Sequence, residues 1–347
     1  MALYDAVSQL ILGIEDVSLE RRERDTSSGF TRVTTVISLS GGGETGKGED
    51  VTYETEDHDA LHEAGPPDLA GSYTIAEFSE HVGDLDLFPE GPGREDFRNY
   101  RRWGFESAAL DLALRQAGTD LASALGRSYD PVRFVASTRL GDPPTFDRVE
   151  RFLENDPDLE FKLDPTSDWT DELIERLAET GAVRILDLKG QYEGTEVDQA
   201  PDPDLYGRVV EGFPEAVIED PALTDETRPV FEGHEDRVSW DAPIHGLGNV
   251  EGLPWEPSWL NVKPSRFGSI ESLFETVEFC AERGITMYGG GQMELDVGRG
   301  QIQALAALFH PDTPNDVAPS AYNDPEVADD LPTSPLSPPE APEGFRR

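Results

Sequence analysis

The chain is poor in lysine, in cysteine and in positive charge altogether, and it has no long apolar run. Each shortage narrows what it can be. Lys and Arg together number 28 against 71 Asp and Glu, a formal charge of −43. A surface of that sign repels nucleic-acid phosphates and anionic lipid headgroups, so neither is expected as a partner. No stretch approaches the roughly 18 consecutive apolar residues of a membrane-spanning helix. The N-terminus lacks the basic start and apolar centre of a secretory leader. A cytoplasmic protein is expected. With one cysteine, Cys280, there is no internal disulfide, which fits a reducing interior. Cys280 falls in the helical pattern of Leu273, Phe274, Val277 and Phe279, the setting of a buried structural thiol.

The acidic residues are not gathered in a tail but spread between clear apolar runs. That is the pattern of a folded, highly charged surface suited to salt-rich cytoplasm, where a Debye length of about 3 Å at molar salt screens self-repulsion. The melting temperature is therefore expected to rise between low and molar KCl; a flat response would rule this out. Lysine is the sharper signal. Only Lys47, Lys162, Lys189 and Lys263 occur, arginine supplying the other cations, and three of the four stand at the ends of apolar runs. A chain that avoids lysine elsewhere uses it there because arginine cannot give up its proton.

Those runs organise the chain. Phe161–Asp164, Ile185–Lys189, Val217–Asp220 and Val238–Asp241 each end in a charged residue, and a fifth run, Leu260–Pro264, carries Lys263 next to its end, with helical or loop-like segments between. Repeated strand, helix, strand predicts an α/β fold with a parallel sheet, and charged strand ends are where a TIM-type (β/α) barrel keeps its chemistry. Asp187, Glu219 and Asp241 read as a metal site, and the lysines beside them as proton-transfer groups. Residues 1–130 read as an α+β capping domain, with strands at 9–20, 32–40 and 50–55, a helix at 74–82 and a long helical stretch over 97–125. Residues 131–323 read as the barrel. Its first strand lies at 132–137, its seventh at 285–288 and a closing strand at 316–322. Residues 324–347 form an acidic, Pro-rich tail without a core of its own, free to fold back onto the cap. Gly41, Gly46 and Lys47 mimic a phosphate-binding loop, but Gly48 stands where its Ser or Thr belongs and a strand follows instead of a helix; a hairpin is expected.

At these residues the sequence resembles the enolase superfamily, on the muconate cycloisomerase, o-succinylbenzoate synthase and mandelate racemase side, over nearly the whole chain. Phe105–Ala113 is similar to the helix leading into the barrel. The three metal carboxylates match Asp187, Glu219 and Asp241, spaced by 32 and then 22 residues. Asn261–Gly268 matches the sixth-strand signature, and Met293–Gly300 the seventh-strand segment with its acidic residue, Glu294. The resemblance implies a modified (β/α)7β barrel and cap loops, here 25–30 and 46–55, that cover the pocket. It implies Mg2+, with Mn2+ as the alternative ion, a small-molecule carboxylate substrate and a homo-oligomer. The reaction implied is abstraction of a proton alpha to the carboxylate, followed by elimination or cycloisomerisation. A racemase or epimerase of an amino-acid derivative, or a barrel that binds metal and ligand without turnover, are the alternatives.

Two departures matter. The second strand usually ends Lys-x-Lys, but here reads Lys162-Leu163-Asp164. The third usually reads Asp-x-Asn, but here reads Asp187-Leu188-Lys189. Neighbouring strands lie about 4.8 Å apart, within reach of a lysine stem, so Lys189 is expected to replace the missing base with Asp164 as its ion-pair partner. Lys162 and Lys263 keep the family's positions. Glu294 is expected to touch substrate or orient a lysine. Arg266 and Asp296 read as structural, Asp220 as a support rather than a fourth ligand, and His245 as a polar loop residue.

Overall fold

In the computed structural model, residues 2–346 other than 193 and 196 are described. The N-terminal part is a cap of antiparallel strands and helices. Strands β1 (Ile11–Ile14), β2 (Asp16–Asp25), β3 (Thr31–Gly41), β4 (Glu44–Asp50) and β5 (Gly71–Thr74) form two sheets, β2-β3-β4 and β1-β5. The apolar run expected as one strand over 9–20 is thus split at Glu15 between two sheets. The third cap strand also lies earlier than expected, at Glu44–Asp50 instead of 50–55, so Gly46–Asp50 is sheet and not loop.

The physical reason is in the glycines. A Cβ on Gly46 would strike the Leu112 amide and the Ala108 carbonyl, and one on Gly48 the Gly104 carbonyl. Alternate glycines let the helix Phe97–Gln116 lie directly on β4, a close backbone approach that composition alone reads as turn. The Gly41–Lys47 stretch is the turn and start of the β3–β4 hairpin, in which Gly41 pairs with Glu44 and Ser38 with Lys47. The helix Ile75–Asp84 starts at Thr74 in a capping box with Glu77. The long helical stretch ends at Gln116; Gly118, at φ +65°, turns the chain before a short helix at Leu121–Ala124.

Seven parallel strands follow: β6 (Val135–Thr138), β7 (Glu160–Leu163), β8 (Val183–Asp187), β9 (Val217–Glu219), β10 (Val238–Trp240), β11 (Trp259–Val262) and β12 (Thr286–Gly289). They form one curled sheet in sequence order. There is no closing strand at 316–322. Instead Asn315 and Asp316 bridge the two sheet edges: Val135 N donates to Asn315 O (2.9 Å), Asp316 N to Gly289 O (2.8 Å) and Gly289 N to Asn315 Oδ1 (2.7 Å). Pro314 and Pro319 flank this segment and carry no N–H, so the ladder cannot extend.

Inside the barrel Val135, Ile185, Val217 and Tyr288 pack as an apolar plug. Two residues further along their strands, on the same face, come Asp187 and Glu219. The plug therefore floors the site and the strand period aims the carboxylates above it. Cys280 is buried in the helix Ile270–Arg283, its thiol pushed up to about 12 by burial. The tail crosses the barrel and returns to the cap. Leu336 bridges Val132, Gly344 bridges Asp120, and Phe345 is fully buried edge-on to Trp103. No helix of the described residues is long and apolar enough to cross a membrane.

Candidate metal centre and its lysines

Asp187 and Glu219 are register partners on β8 and β9, and Asp241 follows β10 two residues after Ser239, the partner of Glu219. All three are fully buried, and one oxygen from each lies within 4.8 Å of the others. The sequence-derived trio is therefore assembled at one point. Such a donor set, all hard oxygen and triply anionic, suits Mg2+ or a similar divalent ion and not a soft metal. One atom supports the fit directly: Asp241 Oδ1 is buried without any hydrogen-bond partner, a vacant acceptor that a cation would satisfy.

Around the trio stand the lysines. Lys162 Nζ bonds Glu219 Oε1, lies 3.2 Å from Asp187 Oδ2 and 3.6 Å from Asp316 Oδ2. Burial works against its charge, but Glu219 and Asp187 hold it protonated well above the ordinary lysine range. Lys189 Nζ pairs with Asp187 Oδ2 and faces Asp164 Oδ1 at 3.7 Å. Its pKa too is raised, burial being outweighed by Asp164 and Asp187. The Lys189–Asp164 pairing expected from the departures is thus present, though Asp164 also accepts from Arg139 (3.2 Å). Lys263 Nζ lies 2.8 Å from Asp241 Oδ2. Gly290 gives its stem room, since a Cβ there would meet Lys263 Cε at 2.8 Å. Glu219, the middle carboxylate, is pushed well above its usual range by burial and by the anions of Asp187 and Asp241, against the pull of Lys162. Asp187 and Asp241 are held low. Burial opposes this, but Lys189 and Lys162 act on Asp187, and Arg266 and Lys263 on Asp241.

Several further residues build the site, and the sequence signals for them were weak. Asp220, at φ +49°, takes the amides of Asp241 and Ala242 on its two oxygens (2.8 Å each) and so fixes the backbone that carries Asp241. Burial and the anions of Asp241 and Asp187 raise it to about 7. Lys189, at φ +54°, shares this strained left-handed conformation. Arg266 does more than brace the loop: it donates to the carbonyls of Asp241 (3.1 Å) and Ala242 (2.6 Å) and faces Asp241 Oδ2 at 3.4 Å. Tyr192, on the loop after β8, donates its hydroxyl to Asp241 Oδ2 (2.7 Å). Tyr288 and Asn261 both reach Glu219 Oε2, Asn261 at 3.2 Å.

Glu294 sits apart from the lysines. It accepts the Gln292 amide (2.7 Å) and pairs with Arg299 (3.2 Å). Asp296 ties the barrel to the cap through Arg22 Nε (2.6 Å). His245 Nε2 lies on the Ala242 carbonyl (3.0 Å), a loop contact. Of the two cap loops expected over the pocket, 26–30 docks through Ser27 N on Asn323 O (2.8 Å), and Tyr53 reaches Gln292 (3.2 Å).

The architecture is that of the enolase superfamily. A dipeptide epimerase from Methylococcus capsulatus, solved with a Mg ion, superposes with TM-score 0.67 at 19% identity, covering 88% of this chain and 89% of that one. An enolase-superfamily member from Listeria innocua superposes at TM-score 0.63 and 18% identity, covering 89% and 86%. In sequence, the o-succinylbenzoate synthase of Bacillus subtilis is 24% identical over 244 residues, 67% of this chain and 63% of its own length. The chain thus spans less than two thirds of that relative. Residues 128–324 match the model described as "Domain of unknown function (DUF8230) C-terminal domain", and residues 5–124 its N-terminal counterpart. The chain belongs to the DUF8230 family.

Proposed function

We propose that this chain is a Mg2+-dependent enzyme that removes a proton alpha to a substrate carboxylate and completes an elimination or cycloisomerisation. The observation that supports this most is the order of the ion pairs. Glu219 is central on β9; Asp187 and Asp241 flank it on either side. Lys189 pairs with the first and Lys263 with the second. A substrate carboxylate seated over the trio would have one amine on each side. A divalent ion held by Asp187, Glu219 and Asp241 would supply the positive charge needed by the enediolate that forms when the alpha proton leaves.

The chain's own groups do the rest. Lys162, engaged by three carboxylates, stays charged and steadies the developing anion at its Nζ. With a divalent ion taking up the charge of Asp187 and Asp241, Lys189 Nζ and Lys263 Nζ would be released from those carboxylates to move the proton, each on its own side. Tyr192 and Arg266 orient Asp241, and the Val135–Tyr288 plug excludes water from below. Amines on two sides also serve a racemase or epimerase, and the Methylococcus capsulatus protein of similar fold is a dipeptide epimerase, so the second reading stands beside the first. The acidic surface further supports salt-rich cytoplasm as the setting.

The test is wash-in of solvent deuterium across a panel of carboxylates with Mg2+ present. Exchange on at least one acid marks a working base. Lys189→Ala is expected to slow elimination on that acid about a hundredfold or more. Full activity in that variant removes Lys189 from the chemistry, and no exchange across the panel points to a binding protein.

A further inference from the structure

Lys162, on β7, is held from two directions. Going round the sheet one way, Asp187 and Glu219 stand at the ends of β8 and β9. Going the other way, past β6, Asp316 stands on the segment that bridges the two edges of the sheet. Its Oδ2 is 3.6 Å from Lys162 Nζ, against 3.2 Å for Asp187 Oδ2. Lys162 is the one ion-pair partner of Asp316 among the described residues. Asp316 lies outside the trio: among the described residues, only Asp187, Glu219 and Asp241 bring their oxygens close enough together to share an ion.

The backbone that presents Asp316 is fixed. Asn315 Nδ2 reaches the carbonyls of Arg133 (3.0 Å), His310 (2.9 Å) and Thr313 (2.9 Å), and Asn315 Oδ1 takes the Gly289 amide (2.7 Å). Asp316 N donates to Gly289 O (2.8 Å), and the next residue, Val317, is fully buried. None of these bonds uses the Asp316 carboxylate, which is 19% exposed. The segment would bridge the sheet edges equally well with a neutral side chain at this position, so the charge serves the lysine.

Lys162 is buried, and a buried ammonium requires an anion. Three stand around it. Once Asp187 and Glu219 give their charge to a divalent ion, Lys162 loses two of the three and faces a like charge at close range. Asp316 alone is left to it, on the side away from the trio.

We propose that Asp316 is a positioning residue: it holds the Lys162 ammonium when the trio is loaded, and so lets one barrel carry the ion and the ammonium together. This rests on the reading of the trio as an ion site, and adds to it the anion that makes room for the ion.

The test is Mn2+ affinity, read by electron paramagnetic resonance on the full chain without substrate. Asp316→Asn is expected to weaken Mn2+ about tenfold, because the ammonium then has no second anion to turn to. Asp316→Glu, which keeps the charge, is expected to stay within about threefold of the unchanged chain. In a Lys162→Met background, Asp316→Asn is expected to weaken Mn2+ by less than about threefold, since the charge it serves is gone. Equal weakening in both backgrounds overturns the proposal, because Asp316 would then act on the ion by its own field. Unchanged affinity in Asp316→Asn overturns it too. Urea unfolding of Asp316→Asn gives a second reading that does not need Lys162→Met to fold. Its midpoint is expected to match that of the unchanged chain in EDTA and to fall below it in Mn2+. An equal fall in both media means that Asp316 only braces the bridging segment, and the proposal is lost. The two readings fail in different ways. No Mn2+ bound by the unchanged chain removes the ion site and this proposal with it, whereas bound Mn2+ with additive substitutions removes the role of Asp316 alone.

Discussion

Lys263→Ala is expected to cut deuterium wash-in, with Mg2+ present, by about 10²- to 10⁴-fold, the usual contribution of a positioned acid–base group. Lys263 Nζ is the amine nearest Asp241, 2.8 Å from Oδ2, and its side chain is only 7% exposed. No other lysine stands on that side of the trio, and arginine cannot replace it, because a guanidinium does not release its proton in this pH range. Lys263→Arg should therefore fail as badly as Lys263→Ala while keeping the charge. A variant that retained more than a tenth of the exchange rate in either form would show that the proton leaves by another route.

Lys162→Met carries the largest expected effect on stability, and that effect should depend on the ion. Without a cation, Lys162 is the principal counter-charge to Glu219 and shares Asp187 with Lys189, both carboxylates being fully buried. Removing one partner of a buried ion pair leaves an uncompensated charge and costs about 3–5 kcal/mol. A divalent ion on the same carboxylates replaces the missing charge, and ligand binding at a hundred times its Kd stabilises by about 2.7 kcal/mol. Urea unfolding of Lys162→Met in EDTA should therefore show a loss of about 3–5 kcal/mol, and in Mg2+ a loss of less than half as much. An equal loss in both media would mean that the ammonium and the ion do not share a site. Activity should fall in either case, because the charge that steadies the anion is gone.

What could be read from the sequence follows from which signals are local. The middle barrel strands are legible because they are short apolar runs with charge at their ends, β6 and β12 as apolar runs alone, and strand period aims Asp187 and Glu219 to one face without further information. Lysine scarcity singled out Lys162, Lys189 and Lys263, and the Lys162-Leu163-Asp164 departure led to the Lys189–Asp164 pair at 3.7 Å. Strand β4 was placed too late because Gly46 and Gly48 look like a turn until the helix over them is known. The eighth strand was not there to find: Asn315 and Asp316 join the edges through side-chain and backbone bonds that have no period. Tyr192, Tyr288 and Arg266 reach the trio from loops and from the opposite wall, contacts set by tertiary closure alone. The resemblance gives Glu294 a place beside substrate or a lysine; in the structure its ion pair is with Arg299 at 3.2 Å.

The central claim is that Asp187, Glu219 and Asp241 together hold one divalent ion. Titration of the full chain with Mn2+, followed by electron paramagnetic resonance, measures this without any substrate. The account predicts one tightly held equivalent, displaced by Mg2+, and its loss on Asp187→Asn, Glu219→Gln or Asp241→Asn. Mn2+ binding that none of these three substitutions weakens, or no bound equivalent in the unchanged chain, would contradict it.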